Sequence, residues 1–495
     1  MKATGNKIIS HGSIYFLGNI LRHTISFIML PIYTRVLTPA DYGTIELLSM
    51  VIDFAGIIFG LRVAEAIFRF YLGCEGEEGK NEVISTALLM AFFINVVGFL
   101  VLAGMSGTIS NAMFGGTGQR YLLVLFSFSL LFQPLVEIPM TFIMAQQRPW
   151  LFVFFSSVKI FLQLSLNIYL VVFKRLGVEG VILSAVISGG CMSILLGTYS
   201  LRHTGFRFSF LQARNLASFS YPMILASIVS FYITFGDRYF LNLYGTLADV
   251  GIYALGYKFG FLLSFIGTGP FFSVWESEKY NVLKSPDAID TFQRVFILFT
   301  AYVSLVVVFI SVFSKNVLMI MSNPEFWGAY KIVPIILVAY FFQGLSGYCN
   351  LGIMINKKTF IITKSTILSA VVITGLYLLL IPRFGAYGAA WATMISFFVR
   401  FLYIHLESKK LYDMKLPWKK IFFLFPPCGA AILIGFFGPD SIMQSVILNI
   451  FVIFLLFYII SVMPIFPDDQ RLLLRRLLFR PWTLPSELRE IMKNG

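Results

Sequence analysis

Long apolar runs follow one another along almost the entire chain, and short polar or charged stretches separate them. A helix needs about 20 mostly apolar residues to span the hydrocarbon core, whereas a membrane β-strand needs about ten, with inward and outward residues alternating. The runs here are continuous rather than alternating, so they predict helices. The pattern yields fourteen spans, at 13–33, 42–61, 83–105, 120–145, 150–173, 178–200, 216–242, 249–273, 291–313, 328–352, 360–381, 386–406, 419–437 and 442–463. The first twelve residues are polar, and no small-residue cleavage site follows a short apolar core. The first span is therefore expected to be retained rather than removed as a signal peptide.

Composition closes off the soluble alternative. Apolar residues make up 58% of the 495 residues and charged residues 13%, far below the quarter that normally covers a water-soluble surface. The chain reads as an all-α polytopic membrane protein. If its N-terminus is cytoplasmic, the inner loops collect most of the Lys and Arg, from Lys2, Lys7 and Lys80 to Lys409, Lys410, Lys415, Lys419 and Lys420. The outer loops hold only Arg35, Arg120, Lys174, Arg175, Lys315 and Arg383. The positive-inside rule then puts both termini in the cytoplasm. The net charge of +14 follows from this bias and from attraction to anionic headgroups, and it calls for no nucleic acid. Cys74, Cys191, Cys349 and Cys428 are scattered without a C-x-x-C or a nearby histidine pair, which predicts neither a disulfide framework nor a metal site.

A phrase recurs within this pattern. T-P-A-D-Y-G (Thr38 to Gly43) returns as T-L-A-D-V-G (Thr246 to Gly251), an offset of 249 − 41 = 208 between the aspartates. Far downstream, Tyr169, Arg175, Gly177 and Gly180 return as Tyr377, Arg383, Gly385 and Gly388, again 377 − 169 = 208 apart. Two matches at one shift predict that spans 1 to 6 were duplicated into spans 7 to 12. Because six is even, the lobes are parallel repeats, as in transporters that alternate access by rocking. The expected organisation is an N-lobe over 1–208, a C-lobe over 209–416, two added spans over 417–463 and a basic amphipathic tail over 464–495 lying on the inner membrane surface. Each T-x-A-D-x-G is expected in the turn after the first helix of its lobe, with Asp capping the next helix and Gly easing the tight turn.

Ionisable groups inside spans are costly and mark either a pathway or a buried pair. They concentrate on the first two spans of each repeat: Arg22 and His23, then Glu46, Asp53, Arg62, Glu65 and Arg69, then Asp237, Arg238 and Lys258. Glu137 and Lys159 stand apart from that set. One reading makes these internal salt bridges, such as Arg22 with Asp53 or Glu65 with Arg62. The other gathers Arg22, Arg238, Lys258 and Lys159 around a bound anion and leaves Glu46, Asp53, Arg62 and Glu65 for coupling or gating.

The stretch L-P-I-Y-T-R-V-L-T-P-A-D-Y-G-T-I-E-L-L (Leu30 to Leu48), following a span that opens G-S-I-Y-F-L-G-N, resembles the N-terminal signature of polysaccharide biosynthesis membrane proteins, the Wzx-type flippases. These belong to the multidrug/oligosaccharidyl-lipid/polysaccharide exporter superfamily, and the resemblance implies a MATE-like and MurJ-like fold. It also implies a flippase in a bacterial inner membrane. The cargo would be a polyprenyl-diphosphate-linked oligosaccharide, an O-antigen, capsule or exopolysaccharide repeat unit, moved from the cytoplasmic to the periplasmic leaflet. Its partners would be that lipid-linked substrate, membrane lipids, and a glycan polymerase with other assembly proteins. No cofactor is implied, and a proton or sodium gradient would supply energy. Related lipid II flippases carry a basic residue midway along the first helix, where Arg22 stands. The acidic pair Glu46 and Asp53 departs from a purely cationic cavity. A multidrug and toxin extrusion antiporter shares the duplicated plan but favours acidic pockets. A membrane glycan polymerase or ligase would need a sizeable outer loop, and every outer loop here is short; no hydrolase elbow, metal motif or nucleotide loop stands out either.

Overall fold

The computed structural model describes residues 29–60 and 62–465. Arg22, His23 and the basic tail from 466 onward therefore lie outside the described residues. Every regular element among the described residues is helical. In chain order these are α1 (Pro39–Phe59), α2 (Val63–Gly73), α3 (Glu77–Phe114), α4 (Arg120–Ala145), α5 (Pro149–Asn167), α6 (Gly177–Thr204), α7 (Phe210–Tyr244), α8 (Leu247–Leu263) and α9 (Gly269–Val282). They continue as α10 (Ala288–Met321), α11 (Val333–Cys349), α12 (Leu351–Ile355), α13 (Phe360–Leu411), α14 (Trp418–Phe422), α15 (Phe425–Phe436) and α16 (Ile442–Val462). Among the described residues, twelve continuous helical segments are long and apolar enough to cross a membrane, and the chain is a multi-pass membrane protein. One of the twelve, α13, covers two predicted spans: Gly385, at φ 52°, breaks the helix between 360–381 and 386–406.

Local chemistry sets the ends. Glu77 and Glu78 sit in the first turn of α3, where carboxylates favour the helix dipole, and Gly115 stops it in the left-handed conformation at φ 68°. At 38 residues, α3 is about 57 Å long and overshoots the roughly 30 Å hydrocarbon layer. Its buried face carries Ser85, Thr86, Asn95, Ser106 and Ser110. Small polar residues of this kind let membrane helices approach closely and bond to backbone.

The duplication is visible atom by atom. Thr38 and Asp41 form a capping box in which Thr38 N and Oγ1 donate to Asp41 Oδ2 at 3.0 and 2.7 Å, while Asp41 N donates to Thr38 Oγ1 at 3.2 Å. Thr246 and Asp249 repeat it at 2.9, 2.7 and 3.2 Å. The helix ends before these turns also correspond. Thr34 Oγ1 donates to the Met321 carbonyl at 3.1 Å, and Asn242 Nδ2 donates to the Met113 carbonyl, both partners being shifted by 208 (242 − 34 and 321 − 113).

The glycines of the motif have a different task from the one their sequence suggests. Both lie within helices, not at the turn. A Cβ on Gly43 would stand 1.9 Å from Leu247 O, and one on Gly251 would stand 2.0 Å from Pro39 O. The two copies of the motif thus meet backbone to backbone through their glycines, a reciprocal contact that any side chain would block.

The described residues form two compact units, one up to 254 with 321–325, the other of 255–320 with 326–465. The unit boundary falls well beyond the 208 expected from the repeated motifs: α7, which follows that position, belongs to the first unit. Within the second unit, α16 docks on α10. Asn449 Nδ2 donates to Val312 O at 3.0 Å and to Asn316 Oδ1 at 2.8 Å, and Ser445 Oγ reaches Asn316 Oδ1 at 3.3 Å. Lys315, expected in an outer loop, lies in the last turns of α10, where its Nζ meets Asp440 Oδ1 at 2.9 Å. A lysine there can extend its stem along apolar neighbours to a carboxylate at the surface.

Candidate functional site

The polar interior of the first unit is built around α7. Asp237 and Arg238 are 0% and 1% exposed, an unusual depth for two charged neighbours. They are held by each other and by their surroundings. Arg238 Nη1 donates to Asp237 Oδ1 at 2.7 Å and to the Thr234 carbonyl at 3.0 Å. The Arg238 amide donates to Asp237 Oδ1 at 2.9 Å, and Tyr253 Oη on α8 donates to Asp237 Oδ2 at 2.6 Å. The guanidinium lies 4.8 Å from the centre of the Phe235 ring. Its Nε stands 3.8 Å from Glu46 Oε2 on α1, an ion pair beyond hydrogen-bonding distance. One guanidinium therefore faces two carboxylates, and α1 is tied to α7 by charge.

Three further charged groups of this unit, Asp53, Glu137 and Lys159, are exposed. Asp53, seven residues after Glu46 on α1, is exposed despite its place in mid-helix and lies within electrostatic reach of Glu46 and Glu137. Glu137 on α4 accepts from Gln133 Nε2 at 3.3 Å and senses Lys159 on α5. A small cavity beside them is lined by Gly60, Asn95, Gln133 and Glu137. Asn95 Nδ2 donates to Ala91 O at 2.8 Å, while its Oδ1 has no hydrogen-bond partner among the described residues. Glu46, Asp53, Glu137 and Asp237 thus share the unit with Arg238 and Lys159, so carboxylates outnumber cations among these six.

The candidates from sequence distribute unevenly. Arg22 lies outside the described residues. Arg238 is enclosed by Asp237, Glu46 and Tyr253, an internal pairing rather than an open cation. Arg62, left-handed at φ 51°, occupies the break between α1 and α2, and its Nη2 binds Glu65 Oε1 at 2.8 Å, with both side chains more than a third exposed. Lys258 is half-buried on α8 and belongs to the second unit. Tyr253 and Tyr257 on α8 are both fully buried. Tyr253 serves Asp237, and Tyr257 packs on Phe261 and Tyr340. Gln133, Asn95 and the donor role of Tyr253 escaped the sequence. The signal that could have found Tyr253 is the buried Asp237 itself, since a carboxylate at that depth requires donors.

A family model described as "Polysaccharide biosynthesis protein" matches residues 9–275. A Haemophilus influenzae protein described as "Uncharacterized membrane protein" is 26% identical over 263 residues, which is 52% of this chain and 61% of that protein. The chain therefore matches less than two thirds of that relative's length. The fold is similar to that of the lipid II flippase MurJ in its inward closed conformation, with a TM-score of 0.70 and 15% identity over 92% of this chain and 99% of that one. It is also similar to an inward-facing multidrug resistance MATE family transporter of the MOP superfamily, at a TM-score of 0.63 and 16% identity over 79% of this chain and 95% of that one. The Vibrio cholerae MATE transporter VcmN in its bent form gives 0.55 and 14% over 84% and 98%. Identities this low establish the fold alone.

Proposed function

Since the chain belongs to the polysaccharide biosynthesis protein family, we propose that it is a flippase. Its cargo would be a polyprenyl-diphosphate-linked oligosaccharide, carried from the cytoplasmic to the periplasmic leaflet of a bacterial inner membrane with both termini cytoplasmic. The observation that carries the mechanism is the Arg238 network. A guanidinium held by Asp237 at 2.7 Å and by Glu46 at 3.8 Å is a charge whose partner can be exchanged. When a proton or sodium ion neutralises Glu46, the attraction between α1 and α7 weakens, and an anionic diphosphate becomes a competitive partner for Arg238. Cation and substrate then influence each other's binding through one side chain, and the linkage is reciprocal. Arg22, Lys258 and Lys159 are the further cations assigned to the diphosphate in this reading. Asp53 joins Glu46 in coupling, and the Arg62–Glu65 pair at the α1–α2 break serves as a gate. A glycan polymerase and other assembly proteins are the partners that would use the product.

A second reading, extrusion of a cationic solute by antiport, draws on the excess of carboxylates over cations among these six groups of the first unit. One experiment separates the two. Proteoliposomes receive either a fluorescent polyprenyl-diphosphate oligosaccharide or a lipophilic cationic dye, under an imposed pH or sodium gradient, with wild type beside Glu46→Gln. The flippase reading expects gradient-sensitive movement of the lipid-linked glycan alone, with the sensitivity lost in Glu46→Gln. Movement of the dye alone would replace it with the antiporter.

A further inference from the structure

A second polar cavity lies entirely within the second unit, with a volume of about 290 Å³. Its walls are the π-helical turn Ser264–Thr268 after α8, the end of α11 with Asn350, and α13 with Arg400. Three observations make it a built site. First, the Nε of Arg400 is buried and has no hydrogen-bond partner, and Arg400 forms no ion pair among the described residues. A guanidinium stays charged at any physiological pH, so inside a membrane lobe it calls for a counter-charge or a polar solvent-filled space. Second, none of the twelve lining residues is acidic, and across the same space Gln343 is exposed while Asn350 Oδ1 also lacks a partner. Third, two walls depart from α-helix: the π turn, in which Thr268 Oγ1 bends back to Ser264 O at 3.3 Å, and the interruption at Asn350 between α11 and α12. Non-α backbone within a membrane span is tolerated where it lines a cavity, and π turns recur at functional sites.

We infer that this cavity binds a phosphate-bearing anion, with the Arg400 guanidinium as its principal ligand and the amides of Gln343 and Asn350 as flanking donors. The planar fork of arginine matches two oxygens of one phosphoryl group. An Asn amide can turn either end toward a ligand, so Asn350 can present its NH₂. The volume is ample for a phosphate or diphosphate group. The phosphate can belong to a phospholipid headgroup, to a lipid-linked glycan or to the free ion. The assignment does not rest on the flippase reading, because phosphate binding at Arg400 stands whether or not a glycan crosses the membrane.

The test uses the purified full-length chain in non-ionic detergent, titrated calorimetrically with inorganic phosphate, pyrophosphate, chloride, and mixed micelles containing phosphatidylglycerol or polyprenyl diphosphate. Wild type is expected to bind at least one phosphate probe saturably and in preference to chloride. Arg400→Gln should weaken that binding about tenfold or more, the size of a lost charge-assisted bond, and Arg400→Lys should fall between. The probe that binds most tightly identifies the source: pyrophosphate alone indicates a soluble ion, phosphatidylglycerol a headgroup, and polyprenyl diphosphate the carrier lipid. Where Arg400→Gln fails to fold, Arg400→Lys and Gln343→Leu carry the test, and unchanged affinity in both overturns the site. Equal affinity of wild type and Arg400→Gln overturns it as well, as does chloride binding as tightly as phosphate or no saturable binding of any phosphate probe.

Discussion

Replacing Gly43 with alanine tests the meaning of the repeated motif. The added Cβ would stand 1.9 Å from Leu247 O and 2.9 Å from its carbonyl carbon. A carbon and a carbonyl oxygen in contact sit about 3.3 Å or more apart, so the two backbones must separate by about 1.4 Å. Neither obstacle is a flexible side chain that can swing away. Overpacking of this kind costs about 1–3 kcal/mol, equivalent to about a 5- to 150-fold shift away from any conformation in which the motifs touch. Gly251→Ala meets Pro39 O at 2.0 Å and should behave alike. The two substitutions break one shared contact, so the double variant should fall short of their sum.

The assay places spin labels at the equivalent positions Val36 and Tyr244, 41% and 45% exposed, in a cysteine-free background, and measures their distance distribution alongside the melting temperature. Gly375→Ala is the control, since a methyl there meets nothing within 4 Å, and alanine in a helix interior should stabilise by about 0.5–1 kcal/mol. The short-distance population should fall, or melting should drop, in Gly43→Ala and Gly251→Ala and in neither respect in the control. Unchanged distances and melting in both variants would refute the argument from close approach.

Other outcomes follow from the ion pairs and the docked helix. Arg238→Met strands Asp237 and Glu46 without their cation and should cost about 3–5 kcal/mol; reaction of a thiol dye with the buried Cys349 and Cys428 on heating gives the readout, and wild-type melting would count against the network. Tyr253→Phe removes the 2.6 Å bond to Asp237 and should lower stability by about 1–2 kcal/mol in the same assay, less than Arg238→Met. Asn449→Leu deletes both of its bonds to α10 and should cost about 1–3 kcal/mol, with faster amide exchange in α16. Asp440→Asn, whose side chain is 96% exposed, should change stability by less than about 1 kcal/mol, although it meets a buried lysine.

The spans were legible because apolar length is a one-dimensional property. Each predicted span from 42 to 463 has its helix, and even the division at Gly385 could be read, since P-R-F-G separates two apolar runs. Burial partners were less legible. Arg238 shows itself in sequence as a charge inside a span, but its second carboxylate, Glu46, is remote in the chain and only folding brings it near. Gly43 reads as a turn residue because glycine often serves turns, whereas its constraint comes from Leu247 in the other copy. Arg400 carries no motif in the sequence; only the acid-free lining of its cavity and the broken helices beside it turn it into a candidate site. Lys315 reads as a loop residue because Ser314, Lys315 and Asn316 interrupt the apolar run, although α10 continues past it to Met321.

Movement of a diphosphate-linked glycan between leaflets is open to a direct test of headgroup selectivity in proteoliposomes. Two fluorescent substrates with the same polyprenyl tail and the same oligosaccharide, one joined through a diphosphate and one through an uncharged ether, are placed in the outer leaflet, and their loss of accessibility to a membrane-impermeant quencher is followed. Protein-dependent movement of the diphosphate substrate is expected, and none of the ether. Equal movement of both, or of neither by correctly inserted and folded protein, would contradict the flippase reading.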